Sequence, residues 1–271
     1  MFSAKTQSQS ILQALAAMLL FANMAAAQTA TDRAALTFNG SAKLLTGPKG
    51  VSVLWLTPAQ IGQAGSVFTT DRVVSNPTYA FATFFQFEMT DPGPGGASDG
   101  MTFVLQAESA SALGGSGGCL GYAGTLSSGC APPSGGIMPS VAVEFDTWHN
   151  VGVDYNDNHV GILTDGQFIE IDPQTPYGVT NCQPTGAFGC MSNGDVWSVW
   201  IEYDGASLNV ALADNSTTRP ANIISYPIDI PTLLGNNSAF VGFTAGTGAG
   251  YENHYILDWQ FVAAPADSKE Q

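Results

Sequence analysis

At 271 residues, of which 45% are hydrophobic, the chain is long enough for one large all-β domain. Its 22 acidic residues against 7 basic ones give a net charge of −15, which argues against electrostatic binding to nucleic acid or anionic lipid and leaves neutral ligands and cations. Only 11% of residues are charged and 31 are glycine, a composition suited to a turn-rich β protein with an uncharged polar surface.

In chain order, the first 27 residues carry one charge, Lys5, then an apolar run from Ile11 to Met24 and the small residues Ala25-Ala26-Ala27. That is the layout of an export signal with an A-x-A cleavage site, so residues 1–27 are expected to be removed and the mature chain secreted, to the cell exterior or the periplasm. No later stretch approaches the roughly 18 continuous apolar residues of a membrane span. One domain without internal repeat is expected over residues 28–262, followed by a polar tail over 263–271.

Within the domain, short alternating or aromatic-rich runs predict strands over 51–56, 79–88, 100–105, 140–146, 159–163, 197–203, 208–212, 240–244 and 255–261. The Asp204-Gly205 step predicts a tight hairpin between Tyr203 and Leu208. No 3.6-residue periodicity intervenes, so helix is expected to be nearly absent and the strands to close as an antiparallel β-sandwich of jelly-roll type. Three loops break the pattern: residues 91–98 ahead of Asp99, Gly114-Gly115-Ser116-Gly117-Gly118 ahead of Cys119, and 246–252. Their glycines let main-chain amides come close to a ligand. Cys119, Cys130, Cys182 and Cys190 are expected to form disulfides in an exported chain; proximity favours Cys119–Cys130 and Cys182–Cys190, and no C-x-x-C knuckle argues for zinc.

Chemistry is concentrated in Val141-Ala142-Val143-Glu144-Phe145-Asp146-Thr147-Trp148-His149-Asn150 and its continuation from Asp154 to Ile162. In an extended strand Val141, Val143 and Phe145 face a core, while Ala142, Glu144, Asp146 and Trp148 share the other face. Two carboxylates on one surface repel at neutral pH unless one is protonated or a cation lies between them, and Asn150, Asp154 and His159 follow closely. Carboxylates with one imidazole (Glu144, Asp146, Asp154, His159) suit Mn²⁺ or Zn²⁺, whereas carboxylates, an Asn carbonyl and main-chain oxygens suit Ca²⁺. Asp146 and Asp154 are placed to bridge the two ions, with Asp157 as the alternative to Asp154.

The run from Val141 to Asn150, the Asp154-to-His159 spacing and Val160-Gly161-Ile162 resemble the metal-binding signature of the legume-type (L-type) lectins. The resemblance extends over nearly the whole mature chain, through Thr37-Phe38-Asn39-Gly40-Ser41-Ala42, Leu54-Trp55-Leu56-Thr57-Pro58, Gln63-Ala64-Gly65-Ser66-Val67-Phe68, Ser98-Asp99-Gly100-Met101-Thr102-Phe103, and Val241-Gly242-Phe243-Thr244-Ala245-Gly246-Thr247-Gly248 with Trp259. It implies a concanavalin-like sandwich and a non-catalytic, carbohydrate-binding protein, in a family where homo-oligomers are common. It further implies that Glu144, Asp146, Asp154 and His159 hold Mn²⁺ or another transition-metal ion. Asp146, the Trp148 main-chain oxygen, Asn150 and Asp154 would hold Ca²⁺. Asp99, Asn150 and a backbone amide near Gly118 would bond sugar hydroxyls, with Trp148 offering its aromatic face. The Ser98–Asp99 peptide is expected to be cis. Trp148 departs from the family's usual Tyr or Phe, and Tyr155 stands where a proline commonly follows the bridging aspartate.

Other readings are weaker. Gly114-Gly115-Ser116-Gly117-Gly118 fits the G-x-S-x-G nucleophile pattern but lacks the flanking strand and helix that expose such a serine. Asp154-Tyr155-Asn156-Asp157-Asn158 lacks the glycine, terminal glutamate and helices of an EF-hand. Glucan hydrolases of the same fold class carry E-x-D-x-x-E, and here Glu144-Phe145-Asp146-Thr147-Trp148-His149 puts histidine in the third place, leaving no proton donor. Asn39-Gly40-Ser41, Asn215-Ser216-Thr217 and Asn236-Asn237-Ser238 are glycosylation sequons that matter only in a eukaryotic secretory pathway.

Overall fold

The computed structural model describes residues 36–46, 51–74, 80–124, 135–168, 170–183, 188–236 and 238–263. The expected export signal, Cys130 and residues 264–271 lie outside them. The described strands are β1 (Leu36–Gly40), β2 (Lys43–Thr46), β3 (Ser52–Thr57), β4 (Ala64–Thr69), β5 (Val73–Val74), β6 (Phe81–Thr90), β7 (Gly100–Gln106), β8 (Ser140–Asp146), β9 (His159–Thr164), β10 (Ile171–Gln174), β11 (Trp197–Tyr203), β12 (Ser207–Asp214), β13 (Ile224–Pro227), β14 (Ser238–Gly246) and β15 (Asn253–Ala263).

They form two sheets with antiparallel neighbours throughout. The first runs β1-β4-β14-β7-β8-β9-β10, with β5 paired to β14; the second runs β13-β12-β11-β6-β15-β3-β2. Period-two alternation explains the stacking. Along β6, Phe85, Phe87 and Met89 are buried while Phe84, Gln86 and Glu88 are only partly so, which puts one apolar face of each sheet against the other. Phe85 lies at the centre, with ring centroids 5.9 Å from Phe103, 5.8 Å from Phe145 and 4.9 Å from Phe243. Phe85→Ala is expected to lower unfolding free energy by about 3–5 kcal/mol, read from the denaturant midpoint. A loss below about 1 kcal/mol would mean that this cluster does not organise the core.

On β8 the parity holds: Val141, Val143 and Phe145 enter the sandwich core, and Ala142 faces the other way. That other face is covered as well. Phe68, Val104, Ala142 and Leu163 pack under Tyr122, Ala123, Ile137 and Phe168 in a second, smaller core. Glu144 and Asp146 therefore project into a sealed layer rather than towards solvent.

Of the elements missing from the sequence reading, β1, β2, β10 and β13 sit at sheet edges, while β4 lies between β1 and β14. β10 carries Pro173 in mid-strand, tolerated where one side of the strand needs no hydrogen-bond partner. The five-residue helix α1 (Ile230–Leu234) is built by local signals, with Asp229 capping the Thr232 amide at 3.0 Å, Pro231 in the first turn and Gly235 ending it at φ 59°. Asp204 Oδ1 accepts from the Ala206 and Ser207 amides in the β11–β12 hairpin, where Gly205 takes φ 97°. Cys182 and Cys190 are disulfide-bonded, Cα to Cα 5.7 Å.

Candidate functional site

Strand register assembles the site. In the β8–β9 pair Glu144 lies opposite Gly161 and Asp146 opposite His159; on the other side of β8, Gly100 of β7 lies opposite Asp146. Asp99, distant in sequence, is thereby set beside the hairpin's exit. Its carbonyl accepts from the Thr147 amide at 2.9 Å and its own amide donates to Gly246 O at 3.1 Å. The Ser98–Asp99 peptide is cis.

His159 is fully buried, and its Nδ1 lies 2.8 Å from the Asn156 carbonyl oxygen. A carbonyl only accepts, so Nδ1 carries the hydrogen and Nε2 the lone pair in the neutral ring. Nε2 is 2.9 Å from Glu170 Oε1 and 3.7 Å from Glu144 Oε1, aligned as a hydrogen bond with neither. Glu144 Oε1 is also buried without a hydrogen-bond partner. Ligand atoms of Glu144, His159 and Glu170 all lie within 4.8 Å of one another. Asp146 and Asp154 stand outside that triad but interact with it by charge, Asp146 with His159 and Asp154 with all three of its members.

The electrostatics are those of crowded, desolvated carboxylates. Burial pushes Glu144 and Asp146 up from the usual carboxylate range, and Asp154 up to about 7. Burial alone would lower His159, but the surrounding Asp146, Glu144 and Glu170 carboxylates outweigh it and push the imidazole up to about 12. Burial also pushes Asp99 up to about 7, with Glu252 and Asp154 adding to the effect.

The loop after β8 folds back on itself. Asp146 Oδ1 accepts from the Trp148 amide at 2.7 Å, Asp154 Oδ2 accepts from the Asn150 amide, and the Asn150 carbonyl accepts from the Asp154 amide at 3.1 Å. Asp157 points elsewhere: both its oxygens accept from the Cys182 amide, at 3.2 and 3.1 Å. Three glycine-bearing loops then converge on Asp99 and Asn150. A Cβ at Gly118 would come within 2.5 Å of Asn150 Oδ1, and one at Gly248 within 3.0 Å of Asp99 Oδ2. The Gly117 amide donates to Thr247 O at 2.9 Å, and the Tyr251 amide to Gly96 O at 3.1 Å. Asp99 Oδ2 and Asn150 Oδ1 are both buried without a hydrogen-bond partner. Trp148 is half-buried beside Gly96.

Two residues here were not anticipated. Glu170 reaches the triad from just before β10. Gln183 Nε2 bridges two loops by donating to Ala97 O at 2.7 Å and Thr147 O at 2.6 Å. Of the other glutamates that a second catalytic acid would need, Glu202 pairs with Arg219 at 3.2 Å on the second sheet. Glu252 is buried and accepts from the Thr147 hydroxyl at 2.8 Å.

The chain matches the legume lectin domain family over residues 20–271. A lectin-like protein of Arabidopsis thaliana is 30% identical over 223 residues, covering 77% of this chain and 73% of that protein. The L-type lectin-domain containing receptor kinase VIII.1 of the same plant is 31% identical over 215 residues, covering 78% of this chain but 26% of the kinase. The chain thus spans only about a quarter of that receptor kinase's length. Among solved structures, the basic winged bean lectin with Tn-antigen superposes with a TM-score of 0.65 at 26% identity, over 86% of this chain and 94% of that one. The metal-free form of lectin I-B4 from Griffonia simplicifolia shares the fold, with a TM-score of 0.65 at 22% identity over 86% and 94% of the two chains.

Proposed function

The chain belongs to the legume lectin domain family, and on that premise we propose that it is a secreted, non-catalytic lectin whose sugar site is organised by Ca²⁺ and a transition-metal ion. The observation that carries this reading is the pair of buried, unpartnered acceptors, Asp99 Oδ2 and Asn150 Oδ1, facing glycine backbone at the meeting of three loops. Buried polar atoms left unpaired are costly unless a ligand satisfies them. Asp99, Asn150 and the main chain at Gly118 would take the sugar hydroxyls, and Trp148 would cover an apolar face of the ring.

The donor set fits the ions. Glu144, Asp146, Asp154 and His159 would hold Mn²⁺ or a similar ion, and Asp146, the Trp148 carbonyl, Asn150 and Asp154 would hold Ca²⁺. When bound, the ions supply positive charge that neutralises the crowded carboxylates and fixes the loop carrying Asn150. Asp154 is favoured over Asp157, because the Asp157 carboxylate already receives the Cys182 amide. The domain is assigned to residues 28–262, close to the end of β15 at Ala263. Cys119 is disulfide-bonded; we assign Cys130 as its partner. Non-reducing peptide mapping is expected to join Cys119 to Cys130 and Cys182 to Cys190, and a peptide bridging the two pairs would refute that assignment.

Hydrolysis is disfavoured because Glu144 and Asp146, at 4% and 1% exposure, are sealed beneath the loop where no glycosidic bond reaches them. Glycan-array binding combined with a reducing-sugar release assay tests the reading. Binding without release is the expected result, and release of reducing sugar from a bound glycan would overturn it.

A further inference from the structure

We propose that Glu170 is itself a ligand of the transition-metal ion, supplying a fourth carboxylate from the β10 side. The inference rests on the metal site proposed above and deepens it. Four observations point to it. Glu170 Oε1 lies 2.9 Å from His159 Nε2, and its ligand atom shares a 4.8 Å triad with those of His159 and Glu144. His159 Nε2 and Glu144 Oε1 are both buried and without hydrogen-bond partners, so two unsatisfied polar atoms converge where Glu170 arrives, and the neutral ring presents its lone pair there. The His159 hydrogen is committed at Nδ1 to the Asn156 carbonyl, which leaves Nε2 as a donor of electrons. Finally, Gly161 stands on β9 between the two glutamates. A Cβ there would come within 2.6 Å of Glu144 Oε1 and 2.9 Å of Glu170 Cβ. Gly161 is not among the positive-φ glycines. Its lack of a side chain is therefore a matter of room, and the room is what lets the two carboxylates meet over β9.

The competing role is a counter-ion: Glu170 pairs with a protonated His159 and has no part in binding metal. The two roles give opposite signs. A ligating glutamate removed weakens the ion's hold, whereas a counter-ion removed makes His159 easier to deprotonate and so strengthens it. The full chain, stripped of ions and resupplied with saturating Ca²⁺, is titrated with Mn²⁺. Free Mn²⁺ is followed by electron paramagnetic resonance and bound Mn²⁺ by water-proton relaxation. For Glu170→Gln, Mn²⁺ affinity is expected to fall about 10-fold or more. For Glu170→Ala, relaxation per bound Mn²⁺ is expected to rise, because water takes the vacated position. Glu170→Asp keeps the charge but shortens the arm; it should resemble Glu170→Gln, and it carries the test if the neutral variants do not fold. Unchanged or tighter Mn²⁺ binding in Glu170→Gln, or wild-type affinity in Glu170→Asp, overturns the proposal. If those variants match a parent that binds both Mn²⁺ and glycans, only the role of Glu170 is lost. A parent that binds no Mn²⁺ loses the metal site as a whole, and glycan binding by that parent is then judged separately.

Discussion

Replacing Asp146 by asparagine is expected to release both ions and to cost glycan affinity about 100-fold or more, while leaving the ion-free chain at least as stable as the parent near neutral pH. Asp146 is 1% exposed, and its ionised form is disfavoured by burial despite the nearby His159. An amide has nearly the same shape and keeps an oxygen for the Trp148 amide. It removes the charge shared by the two proposed ion sites and the buried-charge cost at once.

The same burial sets the pH dependence. Burial raises Asp99 and Asp154 to about 7 from 3.8 when no ion is bound. A carboxyl with a raised folded-state pKa binds its proton more tightly in the folded chain, so its contribution is fully present below the unfolded value and is lost as pH rises through the folded one. Thermal stability of the chelated chain should therefore fall between about pH 4 and about pH 7. In the ion-loaded chain the slope should reverse, because the ligands must lose protons to bind. Melting curves across that range with and without chelator check both signs. Glycan binding and ion content unchanged in Asp146→Asn would remove this carboxylate from the site.

Asp99→Asn should separate sugar from metal. Asp99 Oδ2 is buried and unpartnered, and the Asp99 backbone is pinned by Thr147 and Gly246 whatever its side chain carries. Asparagine keeps that backbone but replaces one acceptor with a donor. A hydrogen bond to a charged group contributes about 1.5–3 kcal/mol, so glycan affinity should fall roughly 10- to 150-fold. Both ions should remain, since Asp99 is not among their proposed ligands, and the melting temperature should not fall. Wild-type glycan affinity in this variant would show that the sugar lies elsewhere, even if the proposed metal site holds.

Much of this was legible in the sequence because it rests on local periodicity. The alternation from Val141 to Asp146 fixes which side chains meet, and the spacing from Asp154 to His159 belongs to one hairpin. The family likeness extended that to Asp99, whose place depends on β7 lying beside β8. What the sequence hid depends on contacts without local spacing. Glu170 comes back to His159 only because a turn and the edge strand β10 carry it there. Gln183 acts through two carbonyls, Ala97 O and Thr147 O, which any residue would provide. The burial of Glu144 and Asp146 was equally hidden, since the second core on the same face of β8, packed over Ala142, is assembled from Tyr122, Ile137 and Phe168, each in a separate loop or turn.

On the proposed reading, metal ions hold Asn150 and Asp99 in place for a sugar that the ions need not touch. The most direct test is calorimetric titration of an array-selected glycan into one preparation of the full chain, first ion-loaded, then chelated, then reloaded with Ca²⁺ and Mn²⁺. Measurable binding, its loss on chelation, and its return on reloading are expected. Undiminished glycan affinity in the chelated chain would contradict that reading.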